Sequence, residues 1–332
     1  MRIAIVKLSS LGDIIHAMYV LQLIKKNNKS ISIDWIVEEK FKQLLECNPY
    51  INEIYTVNIN RAKKDKSIAA LIRDFKKLNQ LSPYDIVFDM QGLIKSALIT
   101  KIIPSARKIG FDRSSVRESL ASMFYDEHCK VSYQKNIVER NIEIINFVFN
   151  FSFSKSDITN KEPFIFSNIE CLFNQISTNK KNILIIPGAS FSAKCYPSKK
   201  YSKLINQMNA NFIVTWGNDH EKKLANSIKS MSPKIEIMDK LSINELIALI
   251  KKVDLVIGSD TGPIHLAWAL NIPSIALYGP TPAYRNSFKT LINKYIESDS
   301  KVNPYKIDKK DFSIKNIRVS DIVKMAEYLL KH

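Results

Sequence analysis

Short apolar runs that end in a polar turn and open into a helix recur along this whole chain. That alternation restricts the fold to parallel strands wound with helices on both faces. The clearest unit is LVIGSDTGPIHLAWAL, residues 255–270. Residues 255–258 read as a buried strand and 259–262 as a tight turn. Pro263 opens a helix, where its missing N–H would have had no partner. Thr261 or Asp260 can cap that helix. Unpaired N–H groups and the positive end of the helix dipole then favour an anion, with a diphosphate the obvious candidate. His265 stands one turn further in. Asp260, Thr261 and His265 thus gather at the carboxyl end of a strand, where open α/β sheets bind ligands. An ordinary capped helix with a buried histidine also satisfies this stretch.

The same unit can be followed from the N-terminus. RIAIVKL is a strand, SSLGDI a turn with a single glycine, and a helix follows over about 13–26. Further strands are expected at 32–37, 53–57, 86–89 and 108–111, with helices at 40–47, 67–80, 116–125 and 134–149. Residues 151–163 lose this periodicity and close on Pro163, as a linker does. A second series has strands at 182–186, 211–215, 235–238, 255–258 and 274–278. Its helices follow Pro197, residue 220 and Ser242. The expected architecture is α/β in two domains, 1–155 and 164–318, with a last helix in 319–332 packing back across the domain junction.

A length of 332 residues allows each half its own core, and 45% hydrophobic with 24% charged residues is a globular composition. Cys47, Cys129, Cys171 and Cys195 form no CxxC pair, which argues against a zinc site or a disulfide framework and for a reducing cytoplasm. The chain enters its first strand with no signal core, and no apolar run has the length of a membrane span. The net charge of +17 is spread over both halves and is densest at Arg61, Lys63, Lys64 and Lys66. Nucleic acid, an anionic membrane surface and phosphorylated substrates all fit such a charge, and so does a solvated lysine-rich surface.

Polar residues keep falling just after strands: Asp13, Gln91, Ser190 with Lys194, Glu221, and 260–265. Five such turns over two halves suggest a cleft between facing domains. The first half offers a carboxylate, and the second offers cations and an anion-binding helix end. That division suits transfer from an activated phosphate donor. Lys194 can neutralise charge growing on a departing diphosphate, or be one surface lysine among many. Asp13 can point into the cleft or simply cap its helix. Glu221 can bind sugar hydroxyls or start a helix. There is no GxxxxGK[ST], HExxH, DxD or Ser-His-Asp pattern, which removes support for phosphate-loop NTPases, zinc hydrolases and transferases that hold a metal through DxD.

Assembled, VKLSSLGDIIHA (6–17), DMQGLIKSALIT (89–100), RESLASMFY (117–125), PGASFSAKCYP (187–197), WGNDHE (216–221), SDTGPIHLAWAL (259–270) and ALYGPT (276–281) resemble glycosyltransferase family nine, the bacterial lipopolysaccharide heptosyltransferases. The N-terminal wording is closer to the heptosyltransferase I branch than to II. The resemblance implies a GT-B architecture of two Rossmann-like domains with parallel sheets facing across a cleft, acceptor on the N-terminal side and donor on the C-terminal side. It implies inverting transfer of L-glycero-D-manno-heptose from ADP-heptose to Kdo of the inner core. Asp13 would be the general base and Lys194 would steady the leaving ADP. Ala189, Ser190, Glu221, Leu241, Asp260, Thr261, Gly262 and His265 would line the donor site. Lys7, Arg61, Lys63, Lys64, Gln91 and Arg117 would meet the acidic Kdo–lipid A acceptor. Family members often carry two Thr at 189 and 190 and a Met at 241, so one hydroxyl contact to the donor is absent here.

The residues call for no cofactor and no metal, though a divalent cation could assist at the diphosphate. The enzyme is expected in the cytoplasm, peripheral on the anionic inner membrane. The alternatives are heptosyltransferase II, a protein heptosyltransferase, a sugar-nucleotide epimerase of similar fold, or a non-catalytic nucleotide or nucleic-acid binder. The last lacks any RNA-binding signature, so no nucleic-acid partner is expected.

Overall fold

The computed structural model describes residues 1–59 and 68–331. The chain divides into two compact units, Met1–Ser154 and Lys155–His332. In the first, β1 (Arg2–Val6), β2 (Ser32–Glu38), β3 (Glu53–Val57), β4 (Tyr84–Asp89), β5 (Ser105–Phe111) and β6 (Glu127–Cys129) form one sheet in the order β3-β2-β1-β4-β5-β6. Every pairing is parallel. Parallel strands covered on both faces need near-continuous apolar runs, and Ile3, Ala4, Ile5 and Val6 are all fully buried. The covering helices are α1 (Leu11–Asn27), α2 (Ile68–Asn79), α3 (Ile94–Ile102) and α4 (Ile137–Phe149). The chain winds outward from β1 to β3, then crosses to the other side of β1 to lay down β4. The order therefore reverses between β1 and β4.

The second unit repeats this. After α5 (Lys155–Thr159) come β7 (Asn182–Ile186), α6 (Ser198–Gln207), β8 (Asn211–Val214), α7 (Asp219–Met231), β9 (Glu236–Ile237) and α8 (Ile243–Ile250). Then follow β10 (Leu255–Ser259), α9 (Gly262–Ala269), β11 (Ser274–Tyr278), α10 (Ala283–Asn286), β12 (Asn293–Glu297) and α11 (Val319–Lys331). Its sheet runs β12-β11-β10-β7-β8-β9, all parallel. Counted within each unit, both sheets have the doubly wound order 3-2-1-4-5-6, and the second reverses between β7 and β10.

Several expectations are corrected. The expected helix at 40–47 is a 3-10 helix, Glu39–Leu44, and 116–125 contains only the 3-10 helix Ser119–Phe124. Serine explains the latter: the Ser122 hydroxyl donates to the Ser119 carbonyl at 2.9 Å, competing with α-helical bonding. The edge strands β6 and β12 were not expected, because EHC and NKYIE lack the apolar run of a central strand. Helix α11 buries Ile322, Ala326 and Leu329 against the second unit's strands and α6. No described helix is long and apolar enough to cross a membrane.

Candidate functional site

A reversal of strand order leaves a crevice at the carboxyl ends of the two strands that flank it. In the second unit those strands are β7 and β10, and the turn after β10 carries Asp260. Its carboxylate is buried and is the centre of a cluster. Lys194 Nζ lies 2.8 Å from Oδ2, and His265 Nε2 lies 3.2 Å from Oδ1. Thr281 Oγ1 donates to Oδ2 at 2.8 Å and Asn286 Nδ2 at 3.4 Å. Burial alone would raise the Asp260 pKa. The Lys194 ammonium and the His265 and Lys194 hydrogen bonds outweigh it and hold the carboxyl well below its ordinary value of 3.8. Asp260 is therefore ionised and occupied by the protein, fixing a cation and an imidazole in one place. Lys194 itself is buried, at the end of the 3-10 helix Ser192–Lys194 after β7. It is not one of the solvated lysines.

Thr261 is the N-cap of α9, but its side chain makes no capping bond, and Pro263 sits in the first turn. With Asp260 engaged elsewhere, neither expected cap closes the helix end. A backbone site with the positive dipole end remains beside the Lys194 ammonium, which is the arrangement that holds phosphate oxygens. Thr261 and Gly262 are half-buried at this end. The turn after β7 holds Ala189, half-buried, and Ser190, exposed. Glu221, in the first turn of α7, reaches this turn because position 188 has no side chain: a Cβ there would stand 2.2 Å from Glu221 Cγ. Glu221 Oε2 accepts from the Gly217 N–H at 2.7 Å. Leu241 is half-buried just before Ser242, which caps α8 in a box with Glu245.

In the first unit the reversal lies between β1 and β4. Asp13 is the third residue of α1, and its Oδ2 accepts from the Ser10 N–H at 3.0 Å and the Ser10 hydroxyl at 2.7 Å. Gln91, after β4, reaches across: its Oε1 accepts from the N–H groups of Leu8 and Ser9 at 3.1 and 3.2 Å. Gln91 thus fixes the turn that carries Asp13. Below it, Asp89 is fully buried and accepts from the N–H groups of Gln91 and Gly92 and from the Tyr125 hydroxyl. Burial pushes the Asp89 carboxyl up despite these donors. Gly92 has φ +67°, a left-handed conformation that suits glycine.

The expected acceptor residues divide. Lys7 is buried and donates to the Met90 carbonyl at 2.8 Å, which ties it to the chain just after β4. Arg117 is exposed. Arg61, Lys63 and Lys64 lie outside the described residues. Three contributors were missed. Lys95 donates to the Ser9 hydroxyl at 3.2 Å and so stands at the first crevice. Thr281 and Asn286 complete the Asp260 cluster. Lys95 lay within QGLIKSA and Thr281 within ALYGPT, both already conspicuous as turns after strands. Nothing in the sequence marked Asn286. Among the described residues no group of three or more His, Cys, Asp or Glu could hold a metal ion.

Known proteins resemble this chain in sequence and in fold. Residues 72–311 match the family model of glycosyltransferase family 9 (heptosyltransferase). Lipopolysaccharide heptosyltransferase 1 of Campylobacter coli is 40% identical over 99% of both chains. The protein of the same name from Escherichia coli K12 is 30% identical over 85% of this chain and 88% of its own. Among solved structures, E. coli heptosyltransferase WaaC with ADP covers 99% of this chain at a TM-score of 0.80 and 24% identity. A family 9 glycosyltransferase from Veillonella parvula covers 99% at 0.81 and 17%. With two doubly wound sheets, the buried Lys194–Asp260–His265 group at one reversal and the Ser10–Asp13 capping box at the other, the chain belongs to glycosyltransferase family 9, the heptosyltransferases.

Proposed function

We propose that this protein transfers L-glycero-D-manno-heptose from ADP-heptose to Kdo of the lipopolysaccharide inner core, with inversion at the anomeric carbon. The observation that carries this reading is the buried Lys194 ammonium, 2.8 Å from Asp260 and beside a helix end whose N-cap side chain makes no capping bond. That cluster is built for charge that appears on a leaving diphosphate. The 40% identity to the Campylobacter coli lipopolysaccharide heptosyltransferase 1 supports the choice of donor and acceptor.

In this reading the acceptor hydroxyl gives its proton to Asp13 as its oxygen attacks the anomeric carbon. The bond from that carbon to the β-phosphate oxygen breaks, and its electron pair leaves with ADP. Ser10 holds Asp13 through Oδ2. Oδ1 accepts no hydrogen bond among the described residues, which favours it as the oxygen that takes the proton. Lys194 and the N–H groups at Thr261 and Gly262 stabilise the departing diphosphate, and His265 lines the same group's site. Asp260 positions both side chains. Glu221 serves the heptose hydroxyls, and the region around Leu241 serves the nucleoside. Ala189 and Ser190 line the donor side of this turn. Arg117 and the 61–64 basic segment serve the acidic acceptor, at the cytoplasmic face of an anionic membrane.

The test is ADP release from ADP-heptose, with and without Kdo–lipid A. Wild-type release should require the acceptor. Asp13→Asn should lose about 100-fold or more in kcat while donor binding stays intact. A variant that keeps most of its rate reduces Asp13 to a cap. Donor binding without release on this acceptor transfers the activity to a heptosylated core or a protein acceptor.

A further inference from the structure

We propose that the Arg285 guanidinium binds the β-phosphate of the donor, beside Lys194. This deepens the reading above and rests on it, because it takes the second unit's ligand to be an ADP-sugar. Arg285 stands on the short helix α10, which follows the turn after β11, the strand next to β10. Both ends of this stretch are fastened to the Asp260 carboxylate. Thr281 Oγ1 donates to Oδ2 at 2.8 Å, and Asn286 Nδ2 donates to the same oxygen at 3.4 Å. The N–H groups of Arg285 and Asn286 close the backbone between these anchors by donating to the Pro282 carbonyl at 3.2 and 3.1 Å. Arg285 is half-buried there, and its Nη1 donates to Asn286 Oδ1 at 3.1 Å. The Asn286 amide thus bridges a carboxylate and a guanidinium. A carboxylate can only accept and a guanidinium can only donate, so one orientation of the amide satisfies both neighbours.

The balance of charge gives the guanidinium a purpose. Lys194 and Asp260 lie 2.8 Å apart and together carry no net charge. A nucleoside diphosphate brings more than one negative charge, and that pair does not match it. The Arg285 bond goes to a neutral amide, which leaves the positive charge of the guanidinium in place. Its planar fork also carries more N–H donors than one bond uses, in a geometry that suits two phosphate oxygens. The side of the cluster selects the phosphate. Asn286 and Lys194 both meet Asp260 at Oδ2, whereas His265 meets it at Oδ1. Arg285 therefore joins on the Lys194 side, where the phosphate whose bond to the sugar breaks would lie.

The test is titration calorimetry with ADP and with AMP, on wild type, Arg285→Ala and Arg285→Gln. The glutamine keeps an amide donor for Asn286 and removes only the charge, so it serves also if the alanine variant folds poorly. Wild type should bind ADP more tightly than AMP. Both variants should bind ADP about tenfold or more weakly, the loss of one hydrogen bond to a charged group. AMP has no β-phosphate, and its affinity should change by less than about twofold. Unchanged ADP affinity in Arg285→Gln overturns the proposal. So does an equal loss for ADP and AMP, which is what a merely structural arginine would give. A wild type that binds no ADP would overturn the donor reading itself, and this proposal with it.

Discussion

Asp260 shows what one side chain can organise. It takes Lys194, His265, Thr281 and Asn286 on two oxygens. Removing its charge would leave the Lys194 ammonium buried without a counter-charge, which costs about 3 kcal/mol. Asp260→Asn should therefore lower the melting temperature and the rate together. The pH dependence has a definite sign. The folded pKa lies below its ordinary value of 3.8, so the stabilisation is complete above about pH 4 and is lost as pH falls through the folded value. The stability gap between wild type and Asp260→Asn should shrink in acid, and a gap constant from pH 7 to pH 3 would refute this. Thr281→Ala should reduce kcat several-fold with little change in KM, and Thr281→Ser should restore it. An unchanged kcat in Thr281→Ala would remove Thr281 from the positioning network. In the sequence, Lys194 is one of 49 Lys and Arg residues, and burial alone sets it apart. Thr281 and Asn286 stand 21 and 26 residues from Asp260, beyond any local pattern. Lys7, which the family resemblance placed at the acceptor, is buried and donates to the Met90 carbonyl.

At the level of elements, legibility followed apolar content. Central strands such as NILII and LVIGS declared themselves, because a strand covered on both faces must be apolar throughout. The edge strands β6 and β12 and the 3-10 helices did not, because their residues answer to local bonds and partial exposure. The stretch 151–163 read as a linker; it contains α5 and, near its end, the buried Lys161. Lys161 donates to Asn271 Oδ1, and its ammonium lies 4.9 Å from the Trp268 ring. Burial pushes its pKa down to about 7, with Glu162 opposing. A lysine whose folded pKa is lowered carries a penalty while charged. That penalty is relieved as pH rises from about 7 towards the ordinary 10.5. Wild type should therefore gain stability relative to Lys161→Met between pH 7 and pH 10. Thermal melts across that range check it, and parallel curves would show that Lys161 does not titrate there.

For the whole molecule, the repeated 3-2-1-4-5-6 order gives each unit one reversal and hence one crevice. If the donor nucleotide belongs to the second unit, ADP should slow hydrogen exchange around 187–195, 216–221 and 259–265. It should leave the turn at 8–13 unchanged, and protection at 8–13 by ADP alone would contradict this division. The alternation of strands and helices made the two α/β halves readable from sequence. The order within each sheet was not readable, because it depends on which side of β1 and β7 the chain returns to. The matching order also bears on heredity. No described strand of one sheet belongs to the other, so selection can act on the two crevices as separate loci. If the acceptor belongs to the first unit and the nucleotide to the second, mutations that change the acceptor would accumulate in residues 1–154 and those that change the nucleotide in 155–332. A recombination breakpoint between α4 and β7 would exchange one specificity and leave the other sheet entire.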